Sequence, residues 1–412
     1  MTCRFAALSL TLALTSPIVA DWPQFRGPAG QGLADMKAPP TEWGPEKNVA
    51  WKVEVPGKGW SSPVVAGGRV YLTTAVPQGD GRSADQSLRA LCLDTTTGST
   101  LWDREVFKQD GKSAPPIHAK NSHASPTPVL DGDRLYVHFG HQGTACLSAK
   151  DGSVLWANRD LTYKPVHGNG GSPVVDGDRI LICIDGTDRR SVVAFDKATG
   201  KVAWEFKRPQ ASSKPFSFGT PLVLEQHGRR VVVAPGSGVV NGVDAETGQE
   251  LWAVKFDGYS VVPRPVAGHG LVYLSTGYDK PTLLAIKVEP GFRAAVAWKA
   301  SQDAPTNPSP LLVGDELYMV SDHGIATCLD ARTGKVHWRE RVPGQYSASP
   351  LAAGGYIYLQ NEIGVGTVLK SGTAFEVAAT NKLGERTQAS YAADGDAFLI
   401  RTERHLYRIA AR

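Results

Sequence analysis

The sequence is short of net charge, of cysteine, of helical periodicity and, beyond its first 20 residues, of any long apolar run. Its 44 basic and 40 acidic side chains leave a formal charge of +4. That near balance gives no electrostatic case for nucleic acid or for a membrane surface, and it leaves a sugar or peptide ligand open. No later segment approaches the ~18 apolar residues that a membrane span needs. The 44 glycines and 28 prolines suit a chain with many turns. Short apolar runs between turn residues mean an all-β protein. Nucleophile and phosphate motifs are missing as well. No Gly-x-Ser-x-Gly elbow lies between a strand and a helix. The stretch Gly168-Asn169-Gly170-Gly171 lacks the following helix and lysine of a phosphate cradle. Four cysteines lie beyond residue 20. Three of them, Cys92, Cys146 and Cys328, fall at one repeat position, where other copies carry Ala194, Gly242 and Ala285. A position that accepts Cys, Ala or Gly is a tight packing slot, which weighs against a disulfide or a metal ligand. Cys183 stands alone.

What is present is a repeat. The stretch Phe195-Asp196-Lys197-Ala198-Thr199-Gly200 is followed by Trp204. The pattern returns with Asp94, Gly98 and Trp102, with Asp244, Gly248 and Trp252, and with Asp330, Gly334 and Trp338. A worn copy ends at Trp156. The Asp carboxylate accepts amides of its own turn, the Gly takes the left-handed conformation, and the Trp lays an apolar face on the next strand. Ahead of each copy stands a Ser/Thr-Pro pair or its equivalent: Ser62, Thr127, Ser172, Thr220, Arg264, Ser309, Ser349 and Ser390. Their separations are 65, 45, 48, 44, 45, 40 and 41 residues. Periods of this length with four short strands each predict propeller blades. The fold class is therefore an eight-bladed β-propeller of four-stranded antiparallel blades. Seven blades would result if Lys287–Trp298 or Thr367–Val377 were not a true blade. Phe375 is read as the eighth copy of the Trp position. The last cycle supplies three strands, and the orphan strand at Trp51 supplies its fourth, so the N-terminal strand closes the last blade and removes an exposed edge.

Residues 1–20 read as a secretory signal: Arg4 begins it, Phe5 to Thr15 form its apolar part, and Ile18-Val19-Ala20 precede the cleavage point. No Cys sits at the cleavage point, so no lipid anchor is expected. The mature chain is expected to be exported, periplasmic or secreted in the bacterial envelope, and monomeric. Residues 21–44 are expected to be an extended arm with Trp22 and Phe25 docked on the body, and residues 45–412 the propeller.

The turn-and-Trp pattern resembles the PQQ-type propeller repeat, a family that includes quinoprotein alcohol dehydrogenases and the outer-membrane assembly factor BamB. The opening Asp21-Trp22-Pro23-Gln24-Phe25-Arg26-Gly27-Pro28 and the run from Lys120 to Pro128 are also similar to exported PQQ-like propellers of planctomycete-type bacteria. The resemblance covers residues 45–412. The repeat itself is structural, docking blade on blade, and fold does not imply function. The dehydrogenase side of the family implies PQQ with calcium. This chain has no Cys-Cys pair, and no Glu/Asn/Asp calcium set can be matched. The BamB side implies a protein partner.

The strands alternate in direction. Loops entering the first strand and leaving the second therefore share one face, and the Asp-x-x-Thr-Gly turns share the other. The first face is irregular. Trp60, Lys120, Asn121, His123, His167, Asn169, Tyr259, Arg264, Asn307, Tyr346 and Gln388 are expected to ring the channel mouth as a ligand or partner site. Five of the ten histidines, His118, His123, His138, His141 and His167, are expected on loops of this face. The first four are candidate ligands for a transition metal. A calcium site using Asp185, Asn169 or Asp322 is a weaker candidate. The reading that results is a non-enzymatic, BamB-like binding scaffold with a protein or polymer partner at the loop face. The alternative is a PQQ- and metal-dependent dehydrogenase working at the channel mouth.

Overall fold

The computed structural model describes residues 21–411 apart from Arg82. The expected leader lies outside these residues. Eight antiparallel sheets follow one another around a central channel. Blade 1 begins with the innermost strand Val64–Ala66, and blades 2 to 7 begin with Val129–Asp131, Val174–Asp176, Leu222–Gln226, Val266–Gly268, Leu311–Val313 and Leu351–Ala353. Blade 8 consists of Ala392–Asp394, Ala397–Arg401, His405–Ala410 and, on its outside, Val49–Glu54 from the N-terminal region. The expected closure is thus observed, and both degenerate stretches form complete blades.

The turn chemistry repeats in detail. Oδ1 of Asp196 accepts the amides of Ala198 and Thr199 at 3.1 and 2.9 Å and the Thr199 hydroxyl at 2.8 Å. Gly200 then closes the turn at φ +71°. The glycine has a second reason to be glycine. A Cβ there would stand 2.4 Å from the Trp156 ring of the preceding blade. Gly98, Gly152, Gly248 and Gly334 meet Trp51, Trp102, Trp204 and Trp298 in the same way. Each of those indoles also donates Nε1–H to a backbone carbonyl of the next blade, as Trp156 does to Lys197 at 3.0 Å. Blade docking is therefore one apolar stack and one hydrogen bond, repeated.

Two positions depart from the pattern. Blade 5 has no such turn glycine to receive Trp252, which bonds Gln226 of its own blade and covers Gly242 instead. In blade 7 the residue paired as the other Trp residues are is Ala379, opposite Val368. Phe375 lies before that strand and packs edge-on against Trp338 at 5.1 Å, so its reading as the eighth Trp position is corrected. The Cys slots behave as expected: Cys92, Cys146 and Cys328 pair with Trp102, Trp156 and Trp338 and are buried free thiols.

The arm is not an external strap. Trp22 pairs with Val65 of blade 1, and the Pro23 carbonyl accepts from Leu130 of blade 2. Gln31 accepts from Ala267 of blade 5, and Leu33–Ala34 adds a parallel strand inside blade 7. Residues 22–34 therefore cross the channel itself. This crossing turns an open tube into a blind cup.

Candidate functional site

The Ser/Thr positions form a ring of blade-to-blade hydrogen bonds. The Ser62 amide donates to the Thr127 hydroxyl at 2.9 Å, Thr127 to Ser172 at 3.0 Å, and Ser172 to Thr220 at 3.0 Å. The ring resumes from Arg264 to Ser309, then Ser349, Ser390 and back to Ser62. It is interrupted where Arg264 replaces the hydroxyl residue. There the Arg264 Nε–H donates to the Pro221 carbonyl, and the entering loops of blades 4 and 5 pair through Phe218, Ser260 and Val261.

Above this ring lies a cup of about 290 Å³. Its lining obeys a rule. Two residues before each ring position stand Trp60, Ser125, Gly170, Phe218, Val262, Asn307, Ser347 and Gln388, and all eight line the cup. In extended chain, residues two apart point to the same side, so a ring residue and its i−2 neighbour both face the channel. Phe25 of the arm also lines it, from beneath. One wall is a continuous aromatic arc. His118 packs on His167 at 5.5 Å, His167 on Phe216 at 5.5 Å, Phe216 on Tyr259 at 5.6 Å, and Tyr259 on Tyr278 at 6.2 Å.

Of the residues expected at the mouth, Trp60, Lys120, Asn121, His167, Tyr259, Asn307 and Gln388 line the cup. Four do not. Tyr346 is fully buried within its blade. Asn169 is buried and bonded to the Tyr163 hydroxyl at 2.7 Å. His123 accepts or donates to Gln109 at 3.1 Å, away from the lining. The Arg264 guanidinium is buried and donates to Phe25, Gln24 and Pro221, anchoring the arm. Phe216, Phe218 and Tyr278 were missed from the sequence. The i−2 offset would have found Phe218. Tyr278 comes from the loop leaving a second strand, which carries no periodic mark.

The histidines divide into two groups. His118 and His167 stand at the cup wall. His138 ends a strand rather than lying on a loop, and its Nδ1 meets the Thr144 hydroxyl at 2.9 Å. Burial, with His141 nearby, pushes its pKa down to about 3. The same causes push His123 down to about 4. Burial lowers His141 as well, so these three imidazoles favour the neutral form and read as structural groups. Among the described residues no three His, Cys, Asp or Glu side chains assemble into a metal-binding group, so the four-histidine expectation is not met. Nor do Asp185, Asn169 and Asp322 meet. Asp185 is buried against Arg208 at 2.5 Å, and Asp322 accepts from the Thr306 amide and hydroxyl at 2.6 Å each.

Among the described residues no carboxylate lines the cup. Two acidic groups stand at its rim: Glu362 accepts from Lys120 at 2.7 Å and from the Ser347 hydroxyl at 2.6 Å, and Asp322 accepts from the Asn307 side-chain amide. The Lys120 pair is long-range. It ties the loop before blade 2 across the mouth to blade 7, and Arg386 of blade 8 adds a bond to Ala119 at 3.3 Å. Arg386 and Lys58 also lie over the Trp60 ring at 5.4 and 5.8 Å.

Comparison with known proteins adds the following. The family model described as outer membrane protein assembly factor BamB matches residues 42–156, 89–325 and 291–406. The BamB of Burkholderia pseudomallei is 25% identical over 268 residues, covering 56% of this chain and 65% of that protein. The quinohemoprotein alcohol dehydrogenase ADH IIB of Pseudomonas putida is also 25% identical, covering 62% of this chain and 31% of the enzyme. The chain thus spans less than two thirds of these relatives' length. Among solved structures, BamB from Moraxella catarrhalis superposes with a TM-score of 0.63 at 13% identity, over 88% of this chain and 97% of that one. A europium-containing methanol dehydrogenase gives 0.65 at 12% identity, over 95% and 98%. At such identities the structures establish the shared fold alone.

Proposed function

Since the chain belongs to the propeller family of the outer membrane protein assembly factor BamB, we propose that it is an exported, non-enzymatic scaffold whose loop face binds a protein partner. The cup would seat a side chain or loop tip of that partner. One observation carries this reading. The cup offers aromatic faces, amides and hydroxyls, while the carboxylates at its rim are already engaged. Such a lining binds and orients, and among the described residues it offers no free carboxylate. Tyr278 and Ile363, at 36% and 67% exposure, are the large apolar groups that the loop face presents to solvent. A sequence relationship to BamB supports a protein as the partner rather than a small substrate.

The test places a photo-crosslinking amino acid at Tyr278 or Asn307, and as a control at Thr199 on the turn face, in the producing cell. A single adduct from the loop-face positions that is absent from Thr199 supports the proposal. Equal adducts from both faces, or none, defeat it.

A second reading, a PQQ- and metal-dependent dehydrogenase, is favoured by the Pseudomonas putida relative and by the aromatic wall. Trp60 and Phe216 offer faces for a flat quinone. The metal half of such a centre does not fit: no carboxylate faces the cup, and no ligand group is assembled among the described residues. No catalytic step is derived through it. Titration of the protein with PQQ and calcium, followed by quinone absorbance, separates the readings. Saturable binding of one quinone per chain would favour the enzyme.

A further inference from the structure

Among the described residues, the closed end of the channel holds two buried cations and no buried counter-charge. Arg26 and Arg264 are exposed by 2% and 1%. Arg26 is carried into the channel by the arm, and Arg264 is the residue that interrupts the hydroxyl ring. Among the described residues no carboxylate lies within ion-pair distance of either. The contrast with Arg208 is direct, since that buried guanidinium has Asp185 at 2.5 Å. Arg401 also lacks a carboxylate, but its Nη1 donates to the Ser61 carbonyl and hydroxyl and to the Thr73 carbonyl.

The hydrogen-bond inventory is equally one-sided. Arg264 uses three of its five N–H groups, on Pro221, Phe25 and Gln24. Arg26 has a single acceptor, the Gln31 carbonyl at 2.9 Å from Nη2. Its Nε and Nη1 are buried and meet no acceptor. A guanidinium has five donors in a fixed fork and cannot discard its proton cheaply. Burying one charge without a partner is costly, and burying two like charges together costs more. Burial, and after it repulsion from Arg264, draw Arg26 below its ordinary pKa.

We propose that this end of the channel holds a small inorganic anion of the halide class, bound between the guanidiniums of Arg26 and Arg264. The size follows from the backbone. The arm passes both groups at Gly30 and Gly32, where a Cβ would stand 2.3 Å from the Arg264 guanidinium and 2.7 Å from Arg26 Nη2. Chain packed this closely favours a monatomic anion, which can accept the unused N–H groups from several directions, over a polyatomic acid. The anion would neutralise the floor of the cup and fix the arm, because Arg264 also holds the Phe25 carbonyl. This proposal does not depend on the partner proposed for the loop face.

The direct experiment is diffraction from crystals of the full chain soaked in bromide, with data collected at the bromine edge. An anomalous peak within hydrogen-bond distance of both guanidiniums is expected. Bromide peaks elsewhere with only water at this place would overturn the proposal. A solution measurement runs beside it. Thermal unfolding is followed in sodium chloride and in sodium gluconate at matched ionic strength. Chloride should raise Tm saturably by several degrees, because a ligand that binds only the folded state stabilises it. The Arg26→Met variant should lose that rise. An identical saturable rise in Arg26→Met, or no chloride effect in the native chain, would also overturn it. The bromide result stands whether or not the variant folds.

Discussion

The two faces of the propeller are built from the same strands and obey different constraints. On the turn face, Asp196, Thr199, Gly200 and Trp156 recur nearly unchanged from blade to blade, because each turn must satisfy its own amides and receive an indole. On the loop face only the inner hydroxyl ring is periodic, and everything above it varies: Trp60 in one blade, Gly170 in another, Asn307 in a third. Uniform chemistry marks the joints that hold neighbouring blades together. Variable chemistry on a fixed ring marks the surface free to acquire a ligand. Aromatic content alone would not have separated them, since the turn face is rich in Trp and the cup rich in Phe and Tyr.

The largest effect that would test this contrast is on the turn face. Gly200→Val forces a β-branched residue to φ +71° and drives its Cβ into Trp156. A loss of about 3–4 kcal/mol is expected by urea denaturation, combining left-handed strain with overpacking. A loss under about 1 kcal/mol would mean that the turn is not the blade joint.

Acid should act next, from beneath the loop face. His138 titrates near 6.5 when unfolded and at about 3 when folded. Between these values the unfolded chain binds more protons, so stability is full above pH 6.5 and falls as pH drops toward 3. By pH 4 the loss from this group is about 3 kcal/mol. His123, lowered to about 4, adds in the same direction. Denaturation midpoints from pH 7 to pH 4 check this, and His138→Gln should flatten the slope. An unchanged slope in that variant would place the proton uptake elsewhere.

Smaller effects belong to the mouth. Lys120→Ala removes a partly exposed ion pair and should cost about 1 kcal/mol or less, yet hydrogen exchange in residues 110–126 should quicken as the loop loses its tie to Glu362. Tyr278→Ala should change stability by no more than about 0.5 kcal/mol and weaken partner crosslinking from Asn307 at least severalfold. If Tyr278→Ala instead unfolds the chain, the loop face is as structural as the turn face and the contrast fails.

Much of this was legible from single residues. Asp196, Gly200 and Trp204 announce a turn and a stacking face by their chemistry, and their recurrence gives the blade count. The orphan Trp51 strand reveals the closure because a lone outer strand needs an edge to pair with. Seven of the expected mouth residues reached the cup for a related reason: position along a repeat fixes which end of a strand a residue occupies. Position does not fix rotation or depth. Arg264 sits at the right register and points to the arm, while Tyr346 sits at the right loop and is buried.

The sequence by itself determined the eight blades, their turns, the closing strand and the small slots opposite the indoles, because each rests on contacts within one repeat or between adjacent ones. Only the tertiary structure decided that the arm enters the channel, that Phe25 becomes a floor and that Arg26 and Arg264 meet without a carboxylate. It also decided that the clustered histidines divide into a wall and a buried group. The contacts of the arm with Arg264 join residues about 240 positions apart across an axis that no local pattern encodes. The physical reason is that period and turn chemistry specify neighbours along the ring, whereas the channel brings together side chains from opposite sides of it.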